Sequence, residues 1–236
     1  MCKEGIKIMS VKTIIALAVG TLAMLILMLI IGIKYRIKLW KCVVVAISLT
    51  IVGTIGTYLM FFVENSVFEG CSYYGAVFFV PIIFFYYAKL IQIPYGDLMD
   101  LCAPAECVML AIMKCQCLLA GCCGGRVMYL TPEGAAVMFP SQIVELINAL
   151  VIMAVLMGLA FAPKLRGKLY PIYLVVYGIT RFVLNCFRME QFPLLAGLTP
   201  GCLWSLIAIF FGILWLSNRK IAIVKTNMPA EQPPAD

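Results

Sequence analysis

Apolar runs long enough to cross a lipid bilayer recur along this chain, and they set what it can fold into. They lie near residues 13–33, 40–62, 72–94, 99–120, 140–162, 169–187 and 197–217. A helix rises about 1.5 Å per residue, so about 20 apolar residues cover the hydrocarbon core. Inside that core each backbone amide must be paired within the protein, and runs this unbroken lack the alternation of a barrel strand. Continuous helices satisfy both demands. Composition agrees: of 236 residues 64% are hydrophobic and 12% charged, too little charge to clothe a soluble domain. The expectation is an all-α polytopic membrane protein with about seven transmembrane helices. Residues 1–225 are expected to form a single helical domain. Residues 226–236, with Pro229, Pro233 and Pro234, read as a disordered tail. The first run follows Lys7 and Lys12. It exceeds the roughly 7–15 residues of a cleaved signal's apolar region and reads as an uncleaved span.

Seven crossings put the termini on opposite sides. One side carries Lys34, Arg36, Lys38, Lys41, Lys89, Lys164, Arg166, Lys168, Arg219, Lys220 and Lys225, and the other only Lys3, Lys7, Lys12, Arg126 and Arg188. Basic loops stay in the cytoplasm, so the C-terminus is expected there and the N-terminus outside. The net charge of +7 is then mostly a topology signal with anionic headgroups as its neighbours, and no nucleic-acid partner is expected. A multi-pass protein of the plasma membrane follows.

The chain has eleven cysteines and no histidine. Cys42, Cys102, Cys107, Cys186 and Cys202 fall inside the apolar runs, where a thiol behaves as a small apolar group. Cys115, Cys117, Cys122 and Cys123 cluster as C-x-C-x4-C-C, which matches no standard zinc or iron–sulfur spacing. Packing at a helix end is the expectation, a disulfide or a metal site the alternatives, and neither metal nor cofactor is assigned.

Charge inside a span is costly and marks function. Near the outer end of the sixth run stand Tyr177, Arg181, Asn185 and Arg188. At about 100° per residue they share a stripe roughly 80° wide. Two guanidiniums on one face suit a phosphate, which their planar forks grip at two points. The structural alternative is that Arg188 reaches the interface and Arg181 pairs with a carboxylate. In the fourth run Lys114 and Glu106 lie eight residues apart, so an ion pair between them is one reading. The segment from Cys117 to Arg126 holds Gly121, Gly124 and Gly125, whose backbone amides could meet phosphate oxygens. Pro140-Ser141-Gln142-x-x-Glu145 opens the fifth run. Ser141 is a candidate cap, and Glu145 the expected partner of Arg181 or Arg188. Tyr73 and Tyr74 begin the third run. All four segments put their polar groups at the outer end.

Together these segments resemble the prolipoprotein diacylglyceryl transferase family in order from about Gly70 to Arg188. Lys114, Cys117, Gly121, Cys122, Cys123 and Gly125 fit a cysteine-bearing variant of its headgroup-facing motif. Pro140, Ser141, Gln142 and Glu145 fit Pro-[Ser/Thr]-Gln-x-x-Glu, and Tyr177, Gly178, Arg181, Phe182 and Arg188 fit Tyr-Gly-x-x-Arg-Phe-x-x-Glu-x-x-Arg. The resemblance implies seven spans and a site opening outward. It implies transfer of diacylglyceryl from phosphatidylglycerol to the lipobox cysteine of a preprotein, with no cofactor. Arg181, Tyr74 and Lys114 are then the candidate catalytic residues. Tyr177, Asn185, Arg188, Gln142, Glu145, Cys117, Gly121 and Gly125 are the candidate substrate-binding ones. The chain departs from the family at Tyr74 and Phe139, where it has histidine, at Asn185, where it has Glu, and at Lys114, where it has Arg. These departures leave two alternatives, a related lipid transferase with another acceptor and a silent lipid-binding protein.

Overall fold

The computed structural model describes residues 11–67, 70–132, 134–188 and 198–218. Lys3, Lys7, Arg219, Lys220, Lys225 and the expected tail lie outside the described residues. The architecture is that of an all-α polytopic membrane protein. Its helices are α1 Val11–Tyr35, α2 Leu39–Asn65, α3 Tyr74–Ile91, α4 Tyr95–Ala120, α5 Ser141–Ala160, α6 Leu169–Asn185 and α7 Pro200–Ser217. All but α6 are long and apolar enough to cross a membrane, and α6 has 17 residues, about 25 Å at helical rise. The helices begin and end within four residues of the apolar runs. Ser66, Gln92 and Gly121 close α2, α3 and α4 in the left-handed conformation, which turns the chain out of the helix.

The helix α4 is the axis of the bundle. It touches α1, α3, α5 and α6, and from Asp97 to Cys107 each residue is buried. A helix with lipid on one side keeps an exposed stripe; this half of α4 has none, so protein surrounds it. Two prolines sit inside helices, Pro81 in α3 and Pro104 in α4. Proline releases the carbonyl four residues earlier. At Pro81 that carbonyl is Val77 O, and the Tyr170 hydroxyl donates to it at 3.0 Å.

A carboxylate of α4 starts α6. Asp100 Oδ2 accepts from Gly167 N at 2.5 Å and from the Tyr35 hydroxyl at 2.9 Å, while Oδ1 accepts from Leu169 N at 2.8 Å. These amides have no partner within their own helix. Beside it the Arg166 fork holds Asp97, Nε to Oδ1 at 2.8 Å and Nη2 to Oδ2 at 2.6 Å. The fork lies over the Tyr35 ring, 4.5 Å from its centroid. The pairing with Asp97 raises Arg166 above its usual range.

The opposite end carries an element that the apolar pattern does not reveal. Strands β1 Val127–Leu130 and β2 Ala136–Met138 form an antiparallel hairpin between α4 and α5. Strands this short leave little room for a period of two. Before it, Gly125 N donates to Phe139 O at 3.1 Å and Arg126 N to Phe187 O at 3.0 Å. A Cβ on Gly125 would collide with Phe139 O and stand 2.9 Å from Phe187 O. Glycine there lets the loop lie between the start of α5 and the end of α6.

Candidate functional site

The site is built around one carboxylate at the end of the bundle where α4 and α6 finish and α5 begins. Glu145 lies in the second turn of α5. Its Oε2 meets Lys114 Nζ of α4 at 2.6 Å and Arg181 Nη1 of α6 at 2.6 Å, and its Oε1 meets Arg188 Nη1 at 3.5 Å. The side chains are little exposed, 5% for Glu145 and at most 16% for the three cations, so solvent screens them weakly. Within these ion pairs one carboxylate serves three cations, so the cluster is short of negative charge. Arg181 Nε is buried with no hydrogen-bond partner among the described residues, and an unpaired buried donor is costly.

The expected pair of Lys114 with Glu106 does not form. Eight residues rise about 12 Å along a helix, beyond the reach of a lysine. Glu106 instead accepts from the Tyr170 hydroxyl at 3.2 and 3.4 Å. Its backbone carbonyl accepts from Tyr73 at 2.9 Å.

The motif at the start of α5 divides its work. Ser141 makes no capping bond; its hydroxyl donates to Cys123 O at 2.7 Å, and Gln142 Nε2 donates to Cys122 O at 2.6 Å. Both therefore hold the loop after α4, one turn above Glu145. The amides of that loop are engaged inside the protein at Gly121, Cys122, Gly125 and Arg126, whose N–H groups donate to Leu118, Cys117, Phe139 and Phe187 carbonyls. These four amides are therefore occupied, and contact with an anion falls to the neighbouring side chains.

Around the cations stands a wall of tyrosines. The buried Tyr177 ring lies 5.4 Å from Tyr73, 5.9 Å from Tyr74 and 5.6 Å from Tyr173, centroid to centroid. The Tyr74 hydroxyl is 2.5 Å from Ser205 Oγ, which donates to Gly201 O at 2.6 Å. Gly178, beside Tyr177, has a packing reason: a Cβ there would stand 2.9 Å from Ser205 O. The stripe expected on α6 splits in space. Arg181 and Arg188 face Glu145, whereas Asn185 Nδ2 donates to Thr199 Oγ1 at 2.5 Å and to Cys202 Sγ at 3.2 Å, turned towards α7.

An apolar groove runs between α5 and α6, lined by none of the charged residues of the cluster. Asn148 and Thr180, joined at 3.1 Å, close its upper end, and Val151, Val155, Ile172 and Val176 line it.

The cysteines after α4 come together. The sulfurs of Cys117, Cys122 and Cys123 all lie within 4.8 Å of one another. The Cys123 thiol is held below its ordinary value, because Cys117 donates to it and Lys114 and Arg188 attract its thiolate, against the effect of burial. The C-x4-C-C spacing gave no sign of this gathering; the left-handed turns at Gly121 and Cys123 (φ 65° and 60°) fold it back.

The prolipoprotein diacylglyceryl transferase family model matches residues 5–217. Three relatives carry the name phosphatidylglycerol–prolipoprotein diacylglyceryl transferase. That of Dehalococcoides mccartyi is 30% identical over 166 residues, 64% of this chain and 62% of that protein. That of Geobacter sulfurreducens is 29% identical over 165 residues, 64% of each chain. That of Teredinibacter turnerae is 28% identical over 156 residues, 61% of this chain and 54% of that protein. The chain thus matches just over half to just under two thirds of the length of these relatives. With the family model spanning nearly all of its apolar helices, this chain belongs to the prolipoprotein diacylglyceryl transferase family.

Proposed function

We propose that this chain moves a diacylglyceryl group from phosphatidylglycerol to the thiol of a lipobox cysteine in a preprotein, at a site facing outward from the plasma membrane. The observation that carries the reading is Arg181, buried with a free Nε in a cluster where one carboxylate serves three cations. A phosphodiester supplies both the charge and the acceptor oxygens for that guanidinium. In the reaction the thiolate sulfur attacks the glyceryl carbon that bears the phosphate oxygen. The carbon–sulfur bond forms, the carbon–oxygen bond breaks, glycerol phosphate leaves, and the thiol proton passes to solvent. The phosphate's charge grows from one to about two as the bond breaks. A cluster in which cations outnumber the carboxylate they share therefore binds the transition state better than the ground state.

Arg181 would grip the phosphate with its fork, and Lys114 and Arg188 would add charge to the leaving group. Gln142, Cys117, Gly121 and Gly125 would shape the loop over the headgroup, with Tyr177 as its aromatic wall. The groove between α5 and α6, whose near end at Asn148 lies three residues on from Glu145, would offer the acyl chains an apolar path. The outward direction rests on charge: Lys34, Arg36, Lys38, Lys41, Lys89, Lys164, Arg166 and Lys168 lie at the end away from the site, as cytoplasmic loops do.

The test is turnover in phosphatidylglycerol liposomes with a lipobox peptide. Thioether product and released glycerol phosphate, both lost in Arg181→Ala, support the reading. No product above background overturns it. Tyr74 and Phe139 in place of histidine favour a second reading, in which another acceptor takes the group. Glycerol phosphate released in native membranes without lipoprotein thioether is its signature.

A further inference from the structure

We propose that Cys117, Cys122 and Cys123 form a three-thiolate site for a thiophilic d10 ion, Zn(II) or Cu(I). This goes beyond lipid transfer and does not depend on it. The sulfurs lie within 4.8 Å of one another. Zinc–sulfur bonds are about 2.3 Å, so two thiolates on one tetrahedral ion stand about 3.8 Å apart. Closing the trio onto an ion requires shifts of about 1 Å, within reach of side-chain rotation.

The cluster is assembled from two places and held from a third. Cys117 sits in the last turn of α4. The left-handed residue Gly121 reverses the chain, and Cys123, at φ 60°, brings the adjacent pair back towards Cys117. A non-glycine residue in that conformation persists only where its surroundings enforce it. Here Ser141 and Gln142 of α5 enforce it by donating to the Cys123 and Cys122 carbonyls at 2.7 and 2.6 Å. The sulfurs are therefore presented on a braced loop, which preorganises a site.

Donor type selects the ion. An all-sulfur set favours Zn(II) and Cu(I) over harder cations. Three thiolates on a divalent ion carry one net negative charge, and Lys114 and Arg188 stand close enough to attract it. Cys123 is exposed while Cys117 and Cys122 are half-buried, so the outer side stays open for a fourth ligand. A disulfide would use two sulfurs and leave the third without purpose.

The full-length chain, purified in detergent under reductant and stripped with chelator, is loaded with Zn(II) or with Co(II) as its spectroscopic probe. Cu(I) is titrated in parallel against a colorimetric chelator. The expected result is one retained equivalent of Zn(II) or Cu(I), with a sulfur-to-Co(II) charge-transfer band. The triple variant Cys117→Ser, Cys122→Ser, Cys123→Ser loses both, and Cys115→Ser, Cys186→Ser keeps both. The single variant Cys123→Ser, at an exposed position, keeps the fold and weakens binding about tenfold or more. Bound metal also protects Cys117, Cys122 and Cys123 from maleimide while leaving the exposed Cys115 and Cys186 reactive. Failure of the reduced chain to retain either ion, or equal retention by the triple variant, overturns the proposal. So does protection at Cys115 and Cys186 alone. None of these readouts involves lipid, so they stand or fall apart from turnover.

Discussion

Lys114 of α4 and Arg181 of α6 meet the same oxygen, Glu145 Oε2, each at 2.6 Å. One carboxylate thus joins three helices, and its removal has a definite consequence. In Glu145→Gln the three cations lose the carboxylate they share. Breaking a buried ion pair from one side costs about 3–5 kcal/mol. The variant is expected to melt well below the parent in detergent, and added anionic lipid should restore part of the loss. A melting temperature equal to the parent's would show that the cluster does not hold these helices together.

The unpaired Nε of Arg181 separates charge from shape. Arg181→Lys keeps the charge and loses the fork, which removes charge-assisted hydrogen bonds of about 1.5–3 kcal/mol each. Product formation should fall about 10- to 100-fold, by the conversion of 1.4 kcal/mol to a factor of ten. Initial rates on phosphatidylglycerol measure it. Full activity in the lysine variant would reduce Arg181 to a point charge.

Tyr74 has its hydroxyl against Ser205 of α7, and this contact gives the hydroxyl a structural occupation. Tyr74→Phe should lower stability by about 0.5–1.5 kcal/mol, the net worth of one hydrogen bond. Turnover should stay within a few-fold of the parent. Ser205→Ala should behave alike. A loss beyond a hundredfold in Tyr74→Phe, with the melting temperature unchanged, would assign that hydroxyl to proton transfer.

Asp100 is the buried cap of α6. Asp100→Ala leaves two backbone amides and the Tyr35 hydroxyl without their acceptor, at about 1–3 kcal/mol for each unsatisfied group. The variant should unfold at markedly lower temperature, and the segment around Gly167 should become open to protease. Asp100→Asn keeps one acceptor oxygen and should fall in between. Because Asp100 lies at the far end of the bundle from Glu145, residual folded protein should keep its lipid specificity.

Much of this was legible in one dimension, for reasons that differ by feature. Lipid imposes its demand residue by residue, so the apolar lengths alone located the helices to within a few positions. Charge in a span is equally local, which is why Lys114, Glu145, Arg181 and Arg188 stood out before any packing was known. The Glu106–Lys114 pair shows the limit: a shared helical face says nothing of axial distance, and about 12 Å of rise separates them. Asn185 shows another, since its neighbours on α6 turn to Glu145 while it turns to Thr199. Asp100, also a charge within the fourth run, could not be read as a cap, because the amides it serves lie 67 and 69 residues away. The three gathered thiols depend on two left-handed residues and on side chains of α5. Partners distant along the chain meet only when α4, α5 and α6 pack, and hydropathy carries no information about which of their faces touch.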